Sequence, residues 1–225
     1  MTYTSRTYIA RHGETVFNAA RRMQGDQLDT PLTRTGFAQA DAMGAALANR
    51  LGQQPPLALW SSPSGRALQT LAIIAEHIGG DWHGATRDAR LQEIDVGEWA
   101  GRTYADIMAD QGDIVDPHIA LFSVRPPGGE WYDDIALRLQ RWIDDTAHLE
   151  GDRLIIMHGM SSRVLRGILL GLPLVLICPL MLLMLGMGNA SIEAVRAACA
   201  TTTSSTGGSF GIGTLNWRGA SHYEK

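Results

Sequence analysis

The sequence predicts a three-layer α/β/α sandwich with a mostly parallel central sheet, and two observations support this prediction. Three short apolar runs of strand length recur along the 225-residue chain, at TYIA (7–10), LALW (57–60) and RLIIM (153–157). Each run is followed, directly or after a loop, by a segment whose apolar residues recur at helical spacing. Strands that alternate with helices build parallel sheets covered by helices on both faces.

The helices are predicted from apolar spacing and from capping signals. The first covers 33–51, the second begins after Ser61, Ser62 and Pro63 and ends at Gly79, and a capping-box pattern at Thr103–Asp106 opens a short third one. The segment 112–129 contains three prolines and is predicted to be a loop. A long helix follows it, and SSRVLRGILLG (161–171) is predicted to be a helix after the third strand. The apolar stripes of the first and of the long helix are Phe37, Ala40, Gly44, Leu47 and Leu51, and Trp131, Ile135, Leu139, Trp142 and Leu149.

Composition indicates one domain over 1–225 and limits the classes of partner. The formal net charge is −4, so no basic field draws in nucleic acid. The two cysteines, Cys178 and Cys199, have neither metal-ligand nor redox spacing, and no export signal precedes the first strand. We therefore expect a cytoplasmic protein without a metal or a cofactor.

One uncharged run, from Gly167 to Gly188, is long enough to span a bilayer. Pro173 and Pro179 interrupt it, and no second such run exists. We therefore predict a core element or an apolar interface, with a homodimer as one use of that interface, and no membrane span. The Gly/Ser/Thr-rich stretch 201–213 is predicted to be a loop followed by an edge strand.

Charged and ring-nitrogen side chains follow all three predicted strands. Arg11 and His12 come after the first strand, Arg66 after the second and His158 with Gly159 after the third. Ligands of open α/β sheets bind beyond the carboxyl ends of the strands. Singly, each of these residues is explained by a solvated turn or by a hydrogen-bonded core histidine. Together, arginines, histidines and helix N-termini form a site for a small dianion, and phosphate is the obvious candidate.

Six motifs carry a resemblance to a known family. They are RHGETVFN, LDTPLTRTGFAQA, SSPSGRALQT, LQEIDVGEWAG, HGMSSRVLRGILLG and GNASI, in this order between residues 7 and about 195. The chain resembles the histidine phosphatase superfamily, in the branch that includes the cofactor-dependent phosphoglycerate mutases. The resemblance implies the phosphoglycerate mutase-like fold and a phosphoryl-transfer reaction.

The resemblance also implies a role for each candidate residue. His12 matches the nucleophile, which forms a phosphohistidine that water hydrolyses. Arg11 and Arg66 match the phosphate-binding arginines, and their charge should lower the pKa of His12. His158 matches the second histidine that donates to the phosphoryl group, with Gly159 beside it. Asn18 matches a polar contact to the same group, and a simple helix cap is the alternative.

Glu93 matches the general acid of the family, which protonates the leaving oxygen. Its competitors in the sequence are Glu14, Asp95 and Glu98. The predicted activity is that of a metal-independent, histidine acid phosphatase-type phosphomonoesterase acting on a small phosphorylated metabolite.

Two alternatives stay open for the activity: a phosphoglycerate mutase and a non-catalytic phosphate-binding protein. The mutases carry extra basic residues after the general-acid motif, whereas 102–125 offers only Arg102 and Arg125. PPGGEWYDD (126–134) also departs from the family pattern at Trp131. This departure leaves the contacts to the rest of the substrate open.

Overall fold

The computed structural model describes residues 5–116 and 121–171. Its main sheet has four strands in the order β1-β6-β2-β3, and every pairing in that sheet is parallel. A separate antiparallel hairpin is formed by β4 and β5. The strands are β1 (Thr7–Arg11), β2 (Leu57–Ser61), β3 (Thr86–Arg87), β4 (Val115–Asp116), β5 (Leu121–Phe122) and β6 (Asp152–Met157).

Helices cover both faces of the main sheet, so the predicted fold class is confirmed. One face packs against α2 and α3, and the other against α5 and α6. The helices are α1 (Val16–Ala19), α2 (Arg34–Leu51), α3 (Gly65–Ile78), α4 (Tyr104–Gln111), α5 (Tyr132–Thr146) and α6 (Gly159–Leu169). Two short 3-10 turns, Ala89–Leu91 and Gly97–Trp99, lie between β3 and α4.

Side chains of β1 show how the sheet separates two apolar cores. Tyr8 and Ala10 are buried against α2 and α3, whereas Ile9 between them is buried on the opposite face. Successive side chains of a strand point to opposite faces, so a strand that is apolar throughout must be covered on both sides. The core on the Ile9 face also contains Trp60 and Trp142, whose rings meet edge to face with centroids 5.3 Å apart.

The helix starts follow from the capping residues in the sequence. Thr33 begins α2 by accepting a hydrogen bond from the Gly36 N–H, and Thr103 begins α4 by accepting one from the Asp106 N–H. Gly79 ends α3 in the left-handed region at φ 64°. The predicted helix start at Thr103 is therefore confirmed, but the capping box is not complete, because the Asp106 carboxylate accepts from the Thr103 hydroxyl at 2.6 Å.

Parts of the predicted helix stripes are wrong. Phe37 is 44% exposed, because α2 instead buries Gly36, Ala40, Met43, Gly44 and Leu47. A Cβ at Gly44 would lie 2.5 Å from the His77 ring, so small residues are needed where α2 meets α3. Leu149 lies beyond the end of α5 and is 41% exposed. The predicted loop 112–129 contains the β4–β5 hairpin.

The long uncharged run lies mostly outside the described residues. Its first residues complete α6, and 172–188 fall outside, as do Cys178, Cys199 and the stretch 201–213. Across residues 5–116 and 121–171, we find no helix with the length and apolarity that a membrane crossing requires. The single-domain organisation of 1–225 stays a prediction.

Candidate active site

The register of the sheet brings three loops together at its carboxyl edge. Arg11 pairs with Met157, and Ser61 pairs with Ile156. The next residue of each loop is tied to β6, since the N–H of His12 donates to the Met157 carbonyl at 3.0 Å. The Ser62 N–H donates to the Ile156 carbonyl at the same distance, 3.0 Å. Residues far apart in the sequence are therefore neighbours.

His12 is held in one tautomer at this edge. The residue is only 6% exposed, and its Nδ1 lies 2.6 Å from the carbonyl oxygen of Gly13. A carbonyl oxygen can only accept, so Nδ1 carries the proton and Nε2 keeps its lone pair. Burial lowers the pKa of His12 well below 6.5, and the charges of Arg11 and Arg66 lower it further. This imidazole is neutral and nucleophilic near neutral pH.

Gly13 fixes the loop that carries His12. Its N–H donates to the Thr70 hydroxyl at 3.1 Å, and that hydroxyl donates to the Arg66 carbonyl at 2.8 Å. A Cβ added at Gly13 would lie 2.3 Å from the backbone oxygen of Gly36. The loop and the start of α2 therefore approach more closely than any other residue type allows.

We expect Gly13→Ala to lower the free energy of unfolding by about 1–3 kcal/mol, the usual cost of overpacking. The reason is that the new methyl group meets backbone, which cannot move aside as a flexible side chain does. Urea unfolding followed by circular dichroism measures the change. Gly159→Ala is the matched control for stability, since its Cβ would meet only ordinary contacts at 3.5 Å or more. Equal stability losses in the two variants would contradict this account.

His158 stands beside His12 and is completely buried. It occupies the N-cap position of α6, but its side chain makes no cap hydrogen bond. Instead, its Nε2 lies 2.8 Å from the Ser62 hydroxyl oxygen, and the Nδ1 is buried without a partner among the described residues. The two histidine rings meet edge to face with centroids 5.1 Å apart. Burial, followed by the charges of His12 and Arg66, lowers the pKa of His158 well below 6.5.

The pKa values of both histidines predict a pH-dependent stability. Because each folded-state pKa lies below 6.5, the unfolded chain binds protons that the folded chain does not. We expect the free energy of unfolding to fall as the pH drops through 6.5, by up to about 1.4 kcal/mol per pH unit for each histidine. Urea unfolding between about pH 7.5 and 5.5 measures the slope. His158→Asn should reduce it, and an unchanged slope would show that His158 does not contribute.

Arg66 is fully buried but does not line the cavity in front of His12. Its Nη1 donates to the carbonyl of Gln27 and to the Thr30 hydroxyl, and its Nη2 donates to the Gly25 carbonyl at 2.8 Å. Burial lowers its pKa to about 10. Its Nε is buried and without a partner among the described residues. In this structure Arg66 braces the segment 25–30, and its Nε is available to a ligand.

Glu93 lies at the N-terminus of α6. Its Oε2 accepts from the Met160 N–H at 2.9 Å, and its Oε1 accepts from Ser161 at 2.9 Å and from Ile94 at 3.0 Å. The carboxylate thus does the capping that the His158 side chain does not do. The expectation that helix N-termini are open to a bound dianion is therefore wrong for these α6 amides, because a side chain of the chain itself occupies them.

The three competing carboxylates lie elsewhere, and none of them lines the cavity. Glu14 accepts a hydrogen bond from the Thr33 hydroxyl at 2.7 Å, and Asp95 accepts one from the Gly97 N–H at 2.8 Å. Glu98 is exposed on a 3-10 turn. Glu93 is the carboxylate that borders the cavity among the described residues.

A cavity of ≈ 200 Å³ opens in front of His12. Five of the predicted residues border it: Arg11, His12, Asn18, Glu93 and Gly159. The carbonyl oxygen of the Asn18 side chain accepts from the Thr15 N–H at 3.1 Å, which is the capping role that the sequence left open. Because Asn18 also lines the cavity, its amide nitrogen can donate to a group bound there.

Sequence reasoning missed several residues of the cavity wall. They come from the segment after α1, from α4, from β5 and from α6: Arg22, Met23, Gln24, Tyr104, Phe122, Met160 and Arg163. The rule that ligands bind at strand ends finds residues that directly follow strands of the main sheet, and none of these seven residues directly follows one.

Within the described ranges, no three His, Cys, Asp or Glu side chains are grouped as a metal site requires.

Comparison with known families agrees with this geometry. The family model described as histidine phosphatase superfamily, branch 1, matches residues 7–199. The chain belongs to this superfamily. The resemblance to this superfamily that the six motifs indicate is therefore confirmed. Members of the superfamily are phosphatases and mutases, which transfer phosphoryl groups.

A curated relative within the superfamily is the probable phosphoglycerate mutase GpmB of Yersinia pestis (strain Pestoides F). It is 34% identical to this chain over 169 residues, which cover 74% of this chain and 75% of the relative.

Two solved structures of the superfamily share the fold. Mycobacterial glucosyl-3-phosphoglycerate phosphatase, solved with VO3, is 31% identical to this chain at a TM-score of 0.61. The match covers 74% of this chain and 82% of the phosphatase chain. YhfR of Bacillus stearothermophilus is 33% identical to this chain at a TM-score of 0.60. The match covers 76% of this chain and 82% of YhfR.

Proposed function

We propose that this histidine phosphatase superfamily member is a phosphomonoesterase that hydrolyses a small phosphorylated metabolite through a phosphohistidine on His12. One observation carries the proposal: the Nδ1–H of His12 is held by the Gly13 carbonyl at 2.6 Å, so Nε2 is a lone-pair donor. This imidazole borders a cavity that Arg11 also lines. A neutral nucleophile next to a permanently charged arginine suits attack on an anionic phosphoryl group.

In the first step, Nε2 of His12 attacks phosphorus and the bond from phosphorus to the ester oxygen breaks. The charge on the equatorial oxygens is stabilised by Arg11 and by the unpartnered Nδ1 of His158, in the tautomer that protonates this atom. The pKa of His158 is low, so a neutral Nδ1–H, rather than an imidazolium, makes this contact. The leaving oxygen takes a proton from Glu93 in its protonated form, the carboxyl group that borders the cavity. As a carboxylate, the same group accepts from the Met160 and Ser161 amides of α6.

In the second step, water attacks the phosphohistidine. The bond between phosphorus and Nε2 breaks, inorganic phosphate forms, and His12 returns to its neutral state. Glu93, left as a carboxylate by the first step, accepts the proton of the attacking water. Each turnover therefore consumes one water and restores both groups.

A phosphoglycerate mutase is the second candidate, because the curated relative carries that name. The two arginines that the sequence offers after the general-acid motif do not support it. Arg102 pairs with Asp110, and Arg125 pairs with Asp134 at 2.8 Å, and neither arginine lines the cavity. Arg22 and Arg163 do line it, so phosphoglycerates belong in any substrate test.

A non-catalytic phosphate-binding protein is the third candidate. The groups expected of a catalyst lie together, namely His12, Arg11, Glu93 and His158. This arrangement favours an enzyme over a phosphate-binding protein.

Phosphate release across a panel of phosphomonoesters tests the proposal. The panel should contain sugar phosphates, alkyl phosphates, phosphoglycerates and glucosyl-3-phosphoglycerate, the substrate in the name of one structural relative. We expect release of inorganic phosphate that survives EDTA and is inhibited by vanadate, which mimics five-coordinate phosphorus.

Two outcomes would contradict the proposal. Activity lost in EDTA and restored by a divalent metal would overturn the metal-independent mechanism. Interconversion of phosphoglycerates that is much faster than phosphate release would show that the protein is a mutase.

A further inference from the structure

Thr15 is a completely buried polar residue just after the loop that carries His12. Its backbone N–H donates to Asn18 Oδ1 at 3.1 Å, and its hydroxyl oxygen accepts from the Asn18 N–H at 3.1 Å. These two bonds form the capping box of α1. Thr15 does not itself line the cavity. Its hydroxyl proton is still available for a third bond.

That proton goes to Gln24. The oxygen atoms Thr15 Oγ1 and Gln24 Oε1 lie 2.5 Å apart. This separation is within the range of an O–H···O bond, and an amide oxygen can only accept. The hydroxyl therefore donates to the carbonyl oxygen of the Gln24 side chain, and the amide nitrogen Nε2 must point elsewhere.

The amide nitrogen of Gln24 has a place to point. Gln24 is 8% exposed and lines the same cavity as Arg11, His12 and Asn18. Among the hydrogen bonds within residues 5–116 and 121–171, Gln24 uses its side-chain oxygen and none comes from Nε2. A donor at the cavity wall without a protein acceptor is satisfied by water or by a ligand, and an anion in this cavity would accept from it.

We propose that Thr15 is a positioning residue whose hydroxyl holds the Gln24 side chain with its NH₂ group toward the bound phosphoryl group. Gln24 then donates a hydrogen bond to that group, and Thr15 itself does not contact it. The inference rests on the proposed function, because it needs an anion in the cavity. Without the hydroxyl, the amide is free to rotate and can turn its carbonyl oxygen toward the anion, which repels it.

Inorganic phosphate, the product of the proposed reaction, is the probe. We expect Thr15→Val to raise the inhibition constant for phosphate about 3- to 10-fold, the worth of one hydrogen bond. KM should rise by a similar factor, and kcat should change less. Thr15→Ser keeps the hydroxyl and should restore both values. If Thr15→Val does not fold, Thr15→Ala removes the same hydroxyl without adding a methyl group.

Thr33→Val is the matched control for the loss of a helix cap. Thr33 caps α2 through its own hydroxyl, which accepts from the Gly36 N–H at 3.0 Å, and it lies outside the cavity lining. Both variants should lower the melting temperature, but only Thr15→Val should weaken phosphate binding. In a Gln24→Ala background, Thr15→Val should have no further effect on the inhibition constant.

An unchanged phosphate inhibition constant in Thr15→Val, or an equal rise in Thr33→Val, would overturn the inference. So would an additive effect of Thr15→Val in the Gln24→Ala background. A parent protein that neither binds phosphate nor releases it would instead overturn the proposed function. The two failures are therefore distinguishable.

Discussion

The expected result of His12→Ala is a loss of kcat/KM of at least about 10⁴-fold, on the scale seen when a catalytic nucleophile is removed. The neighbouring His158 is not expected to take over the attack, because its Nε2 is bound to Ser62 at 2.8 Å and its Nδ1 carries the proton in the tautomer that stabilises the phosphoryl group. The rate of phosphate release from an alkyl phosphate measures the loss. Circular dichroism should show that the variant stays folded.

The parent protein provides the direct evidence for the nucleophile. After brief exposure to a labelled substrate, it should carry a phosphate that is labile in acid and stable in alkali, located on His12. His77→Ala is the matched control, because His77 pairs with Asp41 on the surface and lies outside the cavity lining. That variant should keep both the activity and the label. Label found on a serine or an aspartate would reject the phosphohistidine mechanism.

The second large effect is expected for Glu93→Gln, and it depends on the leaving group. A general acid matters most when the departing oxygen is strongly basic. We expect phosphohistidine formation from an alkyl phosphate to slow by about 10²- to 10⁴-fold. With p-nitrophenyl phosphate, whose leaving group needs little help, the loss should be far smaller. Single-turnover kinetics is the right measurement, because Glu93 also acts on the water in the second step.

The structure adds a second role for Glu93 that the experiment must separate from the first. Its carboxylate holds the amides of Met160 and Ser161, so Glu93→Gln also disturbs the start of α6 and with it His158. Such a disturbance slows both substrates equally, whereas loss of the acid does not. Equal losses would therefore reject Glu93 as the acid. Glu98→Gln, on the exposed neighbouring carboxylate, should show no leaving-group dependence, and such dependence in Glu98→Gln alone would move the role there.

The fold and the meeting of the histidines were predictable because topology alone decides them. Parallel strands end at one edge of a sheet, so Arg11, His12 and His158 had to lie near one another once the three apolar runs were recognised. The pKa of His12 is lowered as predicted. Burial is its main cause, however, and the predicted arginine charges come second. The depth of burial depends on packing from several elements, which spacing along one strand does not reveal.

The sequence by itself determined the fold class, the family and the positions of the candidate nucleophile and its neighbours. Only the tertiary structure decided which partners the side chains take. Arg66 follows a strand as predicted, yet its guanidinium donates to carbonyls of Gly25 and Gln27. Glu93 caps α6, and Gln24, which lines the cavity, accepts a hydrogen bond from the Thr15 hydroxyl. A strand's direction is set by local pattern, whereas a side chain's hydrogen bonds depend on groups that distant loops bring within about 3 Å.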